Sequence, residues 1–367
     1  MILKCQRVRG DKIILITSEF PPQPGGIGNH AYNLALALTQ AGFFITVLVF
    51  DGAKDNITLS TFDALQPYKI IRLPRNSNIF YRYFQRIYYS RKLAKASQFV
   101  ILSGKAPLWM QLFIAKKATI VVHGSELLLN SRVLRGLTEM ALQKAKNAIA
   151  VSHFTKGLLS KSLQPKTTVI NNGINLSEFD LKFKAKPQQI DFVTVGTIHQ
   201  RKGQHNFIAA LPAILACFEN CHYHIIGIDK ESTAIKLLKQ DLQLNDRVTI
   251  YGSLNREKML SKLKACSIGI MLSENTGSGD VEGFGISLIE ANAMGLPTLG
   301  SKGTGIEDAI KNNFNGVLVE AKNTDEIIAA ITLIMNHYEQ YSLNALQFAR
   351  QCSWHLRVNE YIKQIEA

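Results

Sequence analysis

Several things are missing from this sequence, and each absence narrows what it can be. No apolar run approaches the ~20 residues needed to cross a bilayer; Phe43–Phe50 (FFITVLVF) is among the longest and has the length of a strand. The first residues, MILKCQRVRG, hold no apolar stretch ahead of a small-residue cleavage site, so no secretory signal is expected. Cysteines are scattered and odd in number (Cys5, Cys217, Cys221, Cys266, Cys352), which fits reduced thiols in a cytoplasmic protein rather than a disulfide framework. Cys217 and Cys221, followed by His222 and His224, lack the second paired cluster that a zinc site requires, so they are expected to be ordinary core or surface residues. No repeat of solenoid period and no low-complexity tract is present. Most telling, residues 64–125 contain eleven basic side chains and not one acidic one. Residues 181–367 carry nineteen of each sign, so the whole net charge of +14 lies in the first half. Two halves with different partners are implied, one of them anionic.

What remains is the pattern of an α/β protein. At 367 residues the chain exceeds what one hydrophobic core usually supports. Apolar runs of strand length alternate with helical patterns: Lys12–Thr17, Phe44–Phe50, Ile70–Leu73, Phe99–Leu102, Thr119–His123 and Ala148–Ser152, then Asp191–Gly196, His222–Gly227, Val248–Tyr251, Ile268–Leu272 and Pro297–Gly300. Asn29–Ala41 reads as a helix stopped by Gly42. The polar, lysine-bearing Phe179–Gln189 reads as a linker. The expectation is two doubly wound, Rossmann-like α/β domains, residues 1–172 and 173–350, facing a cleft. Ligands of such sheets sit beyond the carboxyl ends of the strands, which makes that cleft the default site.

Three stretches carry chemistry. Pro21–Gly28 (PPQPGGIG) follows the first strand and opens a helix; Gly25 and Gly26 would let backbone approach a ligand, and the helix start offers free N–H groups to an anion. A turn that merely needs glycine is the alternative. Val195–Gly203 (VGTIHQRKG) repeats the logic after another strand, with Arg201 suited to bidentate bonding of a diphosphate and Lys202 to a point-charge contact. The third, Glu282–Glu290 (EGFGISLIE), places two carboxylates on either side of a helix entrance, too far apart for an ordinary helical salt-bridge pair. Phe284, Gly285 and Ile286 form the entrance, whose N–H groups accept an anion. The flanking Glu282 and Glu290 suit sugar hydroxyls, because one carboxylate can accept two of them. A nucleotide-sugar has that layout: a diphosphate between two sugars.

The E-G-F-G-x-x-x-x-E stretch resembles the signature of retaining glycosyltransferases of family 4, which have the GT-B fold. The resemblance extends over nearly the whole chain, through GGIG, His123-Gly124, Asn172-Gly173-Ile174 with Phe179, VGxxxxxKG, Tyr251-Gly252 and Gly303–Glu307. It implies that Glu290 binds the ribose, Glu282 contacts the donor sugar, Arg201 and Lys202 hold the diphosphate, Gly26 approaches the donor phosphates, and His123 lies near the transferred sugar. Base recognition around Gly252 would be largely by backbone. It also implies that the last segment, 351–367, is a helix returning to the first domain, with Trp354 as its anchor. The sequence has no Asp-x-Asp pair, the arrangement with which metal-dependent transferases hold a diphosphate, so no metal and no cofactor are expected beyond the nucleotide-sugar donor. The competing functional readings are a GT-B sugar-nucleotide epimerase and a binding module without turnover.

Residues 76–98 (NSNIFYRYFQRIYYSRKLAKASQ) interleave aromatics with cations. Helical spacing puts Phe80, Phe84 and Ile87 on one face and most of the arginines elsewhere. Such a helix either lies on an anionic membrane surface, making the protein peripheral at the inner membrane face, or packs its rings into the core behind a solvated basic face. Nucleic acid is not expected, since no nucleic-acid module accompanies it. The expected acceptor is a glycan or lipid-linked saccharide of cell-surface polysaccharide or lipopolysaccharide biosynthesis.

Overall fold

The computed structural model describes residues 10–23, 25–52, 57–74, 77–276 and 279–367; Cys5, Pro24 and Asn76 lie outside these. Two compact units form: Met1–Gly173 together with Trp354–Ala367, and Ile174–Ser353.

The first unit holds strands β1 (Lys12–Thr17), β2 (Phe44–Gly52), β3 (Lys69–Pro74), β4 (Phe99–Ser103), β5 (Thr119–Val122), β6 (Asn147–Ala150) and β7 (Thr167–Val169). They form one sheet in the order β3-β2-β1-β4-β5-β6-β7. β1 is parallel to both neighbours, Leu15 lying opposite Val47 on one side and Ile101 on the other. Helices cover both faces of such a sheet, which is why Ile13, Ile14, Leu15 and Ile16 are all fully buried. The second unit repeats the plan with β8 (Ile190–Val195), β9 (Cys221–Ile226), β10 (Val248–Gly252), β11 (Ile268–Met271), β12 (Thr298–Ser301) and β13 (Gly316–Val319), ordered β10-β9-β8-β11-β12-β13. In each sheet the strand order reverses beside the first strand, between β1 and β4 and between β8 and β11. The loops leaving those four strands are where a doubly wound sheet takes its ligand.

The differences from the sequence reading have local causes. β7 and β13 went unread because three or four residues at a sheet edge are too short to show a period. The first helix, Gly26–Gln40, begins three residues early and absorbs the glycine turn. Phe179–Gln189 is built into the second unit rather than linking anything: the Lys184 amide donates to Ser342 Oγ at 2.9 Å and its ammonium to the Cys266 carbonyl at 2.5 Å. Polarity had made it look unattached.

The basic helix Ile79–Lys95 is turned the other way from a core-packed aromatic helix. Its inner face is Arg86, Ser90 and Ala94, while Phe80 is 84% and Phe84 65% exposed. Phe80 and Phe84 also part company with Ile87, which packs partly buried on the core.

The closing helix Trp354–Glu366 lies in the first unit, against Gly26–Gln40. His30 Nε2 and the Tyr361 hydroxyl are 2.8 Å apart, and the ring of Trp354 stands edge-on to His30 at 5.3 Å. A side chain on Gly173 would meet that indole at 3.0 Å, so the glycine makes room for it.

Candidate active site

In the second unit the loops leaving β8 and β11 are drawn together by glycine. Gly203 has φ +70°, and a Cβ there would sit 1.7 Å from the Leu272 carbonyl oxygen just beyond β11. Only glycine permits that approach. It places the short turn Gln200–Lys202, and hence both cations, beside the loop that carries Glu282. Gly305 does the same from the β12 side: its N–H donates to the Glu282 carbonyl at 2.9 Å, and a Cβ would lie 2.1 Å from the Gly283 oxygen.

The Glu282 carboxylate is buried, and one of its oxygens, Oε2, takes both cations. Lys202 Nζ is 2.7 Å away and Arg201 Nη1 is in direct contact. Arg201 also reaches Asp280 through Nε at 3.1 Å. Burial alone would raise the Glu282 carboxyl, but the Lys202 and Arg201 charges outweigh it and hold it below the usual carboxylate range. Three residues on, Gly285 adopts φ +90°, ψ +54° and opens the helix Ile286–Ala293, whose start carries no side-chain cap. An uncapped start leaves its first amides and the positive end of the helix dipole for another anion.

Glu290, in the second turn of that helix, is also buried but has a different partner. Arg256 Nη1 lies 2.7 Å from Glu290 Oε1, and its Nη2 lies 2.7 Å from Glu178 Oε2. The same guanidinium sits over the Phe179 ring at 5.5 Å. Burial raises the Glu290 carboxyl, and Arg256 only partly offsets this. Arg256 is the first residue of helix Arg256–Ala265, fixed by its Asn255 cap. Upstream, Gly252 ends β10 at φ +68°, with open space where a Cβ would be. The two signature glutamates are therefore each held by arginine, Glu282 by one from the loop leaving β8 and Glu290 by one from the helix that follows the edge strand β10.

The remaining predicted residues lie in the first unit. Gly25 precedes the helix Gly26–Gln40, which again has no side-chain cap, and a Cβ on Gly26 would project into open space. His123 follows β5. Its Nε2 is 2.9 Å from Ser103 Oγ at the end of β4, and its ring stands edge-on to His30 at 5.0 Å. Burial pushes the His123 imidazole down to about 4, so it is neutral in the physiological range. The backbone N–H of His123 donates to Glu126 Oε1 at 2.5 Å. Burial raises the Glu126 carboxyl, with backbone donors at His123, Glu126 and Gly124 opposing. His30 Nδ1 and Glu126 Oε2 are buried without a hydrogen-bond partner.

Two family models match side by side: Glycosyltransferase Family 4 over residues 24–178, and Glycosyl transferases group 1 over residues 177–347. The chain belongs to the family 4 glycosyltransferases. Among relatives of this glycosyltransferase is a GDP-mannose-dependent monoacylated α-(1-6)-phosphatidylinositol monomannoside mannosyltransferase of Corynebacterium glutamicum, 24% identical over 345 residues, 86% of each chain. An amylovoran biosynthesis glycosyltransferase, AmsK of Erwinia amylovora, is 30% identical over 178 residues, 47% of this chain and 43% of that one. Solved structures place the fold: HepE of Anabaena in complex with UDP and glucose has a TM-score of 0.76 at 17% identity, covering 96% of this chain and 98% of that one. A sucrose-phosphate synthase from Thermosynechococcus elongatus has a TM-score of 0.77 at 18% identity, with 96% and 98% covered. The enzyme thus has the GT-B fold, two Rossmann-like domains.

Sequence reasoning missed several residues that order the enzyme's site. Asp280 stands two residues before Glu282, and its pairing with Arg201 had a signal in that spacing. Glu178 and Arg256, 78 positions apart, had none. His30 and Tyr361, separated by 331 positions, meet only because the last helix returns to the first unit.

Proposed function

We propose that the enzyme is a retaining, metal-independent transferase that moves a hexose-type sugar from a nucleotide-sugar to a glycan or lipid-linked acceptor. Its setting would be cell-surface polysaccharide or lipopolysaccharide biosynthesis, at the inner face of a membrane. The observation that carries this reading is the double charge of Lys202 and Arg201 on one buried carboxylate, next to the uncapped helix start at Gly285.

In the reaction so read, the bond between the sugar's anomeric carbon and the terminal phosphate oxygen breaks, and negative charge grows on that oxygen. Lys202, Arg201 and the N–H groups at the start of helix Ile286–Ala293 receive the charge, the task a metal performs elsewhere. The acceptor hydroxyl bonds to the face of the carbon that the phosphate leaves, and its proton passes to the departing phosphate oxygen. Configuration is thereby retained and no protein nucleophile is needed. Glu282 gives up part of its hold on the cations and turns its oxygens to sugar hydroxyls, while Glu290, steadied by Arg256, takes the ribose. His123, neutral, meets the transferred sugar as a hydrogen-bonding group rather than as an acid. Gly25 and Gly26 offer backbone amides to the donor phosphates.

The first donors to test are GDP-mannose, on which the Corynebacterium mannosyltransferase depends, and UDP-glucose, with which HepE of Anabaena forms a complex. The experiment is a panel of UDP-, GDP- and ADP-sugars with chelator present, scored by slow release of nucleoside diphosphate. Release from one donor, abolished by Glu290→Ala, is the expected result. No release from any donor, together with no thermal stabilisation by any nucleotide, would overturn the reading in favour of a binding module. Accumulation of an epimerised nucleotide-sugar would replace it with an epimerase.

A further inference from the structure

The helix Ile79–Lys95 leaves in water what a soluble helix normally buries. Phe80, Phe84 and Tyr88, four residues apart, form one continuous stripe on its outer side, and Phe84 and Tyr88 are stacked with ring centroids 6.3 Å apart. Ile79, Tyr81 and Tyr83, in the first turns of the helix, are also exposed. Lys92 continues the same row one turn further, its ammonium 5.8 Å over the Tyr88 ring, with Arg91 and Lys95 exposed on either side.

This orientation is built in from behind. Arg86, at 4% exposure, points into the unit with its guanidinium over the Phe50 ring at 5.0 Å and the Tyr83 ring at 5.4 Å. Ser90 and Ala94 complete a small, close-fitting inner face, and Leu93 and Ile87 pack on the core. The Asn78 side chain caps the start by accepting from the Phe80 and Tyr81 amides. A rotation that hid the phenylalanines would turn Leu93 and Arg86 out into water, so the exposed row is a property of the folded unit.

A contiguous row of exposed rings marks an interaction surface. Its cations, and the absence of any acidic residue from Ala64 to Ser125, select an anionic partner. Rings at one end of a stripe and ammonium groups at the other fit an interface in which the rings enter the headgroup–acyl boundary and the cations meet lipid phosphates. No helix among the described residues is long and apolar enough to cross a membrane. We propose that Ile79–Lys95 docks the first unit flat on an anionic lipid bilayer, with Phe80, Phe84 and Tyr88 inserted and Arg91, Lys92 and Lys95 on the headgroups. The proposal rests on the reading above for its lipid-linked acceptor but not for the surface itself.

The test is co-sedimentation of the full chain with vesicles of phosphatidylcholine alone and of phosphatidylcholine with one third phosphatidylglycerol. Pelleting is expected with the anionic vesicles and reversed by raised salt. The pair Phe80→Ser and Phe84→Ser should lower partitioning at least tenfold, and each of Arg91→Ser, Lys92→Ser and Lys95→Ser roughly fivefold. Phe84→Trp should show a blue-shifted emission on anionic vesicles. Nucleoside diphosphate release without vesicles, measured on every variant, reports the fold and the donor site separately. Equal pelleting of parent and ring variant would overturn the proposal, as would equal pelleting on neutral vesicles. So would a concentration-dependent dimer abolished by the ring substitutions without vesicle binding, which would make the face an interface between copies.

Discussion

Lys202 Nζ lies 2.7 Å from Glu282 Oε2, so a cation assigned to the donor's diphosphate is already neutralised by a carboxylate of the same site. On the proposed reading, Glu282 and the donor's diphosphate would compete for one charge. Glu282→Gln removes the competitor but keeps the shape. Nucleoside diphosphate should then bind roughly tenfold tighter, about 1.4 kcal/mol, while turnover falls because the sugar loses a charged acceptor. Calorimetric titration alongside steady-state release checks both halves; unchanged affinity would mean that Glu282 does not restrain Lys202.

Lys202→Ala should lower turnover by ~10²–10³, the usual cost of removing one preorganised stabiliser of developing charge. Single-turnover release from the matched donor measures it. A loss confined to KM would make the lysine a docking group only.

Arg256 bridges Glu290 and Glu178 with separate nitrogens, so its geometry counts as well as its charge. Arg256→Ala leaves a buried carboxylate short of its partner, and we expect a loss of about 1–3 kcal/mol of stability and a donor KM raised about tenfold. Arg256→Lys should rescue little, since one ammonium cannot span both acids. Full rescue by lysine, in urea titration and KM together, would reduce the site to simple charge.

Gly203→Ala should be among the most damaging single substitutions in the second unit. The added methyl meets the Leu272 carbonyl at 1.7 Å in a left-handed conformation, for which about 2–4 kcal/mol is expected from strain and overpacking. Thermal unfolding measures the loss. Because the displaced turn carries Arg201 and Lys202, donor turnover should fall further than stability alone explains.

His123 makes the first unit sensitive to acid. Its folded value, about 4, lies below the unfolded value of 6.5. The unfolded chain therefore takes up a proton first as pH falls. The stabilisation is complete above pH ~6.5 and is lost progressively toward pH ~4. Urea midpoints at several pH values should fall across that window, and His123→Asn should flatten part of the dependence. Buried His30, also held low by burial and by His123, supplies the remainder.

Most of the strand plan, and the clustering of Arg201 and Lys202 with Glu282, were legible because both leave local signals. A buried parallel strand such as Ile13–Ile16 is a continuous apolar run, and the glycines that bring two loops together must be glycines whatever surrounds them. What escaped was tertiary. Nothing near Arg256 points to Glu178, and nothing near His30 points to Tyr361. The orientation of Ile79–Lys95 escaped for a sharper reason. Its periodicity identifies which side chains share a face, yet a row of rings and a row of small residues around an arginine are both possible inner faces. Only the space between the helix and Phe50 decides between them.

The first unit is not a continuous stretch of chain, because Trp354–Ala367 belongs to it while Ile174–Ser353 forms the other. During synthesis at ~5–20 residues per second, the second unit has all its residues about one to three seconds before the first. Until the last helix leaves the ribosome, His30 lacks the Tyr361 hydroxyl and the groove beside Gly173 lacks its indole. The unit begun first is thus completed after the one that follows it, and a ribosome that stalls within Trp354–Glu366 leaves the earlier-begun unit defective while the later one is whole.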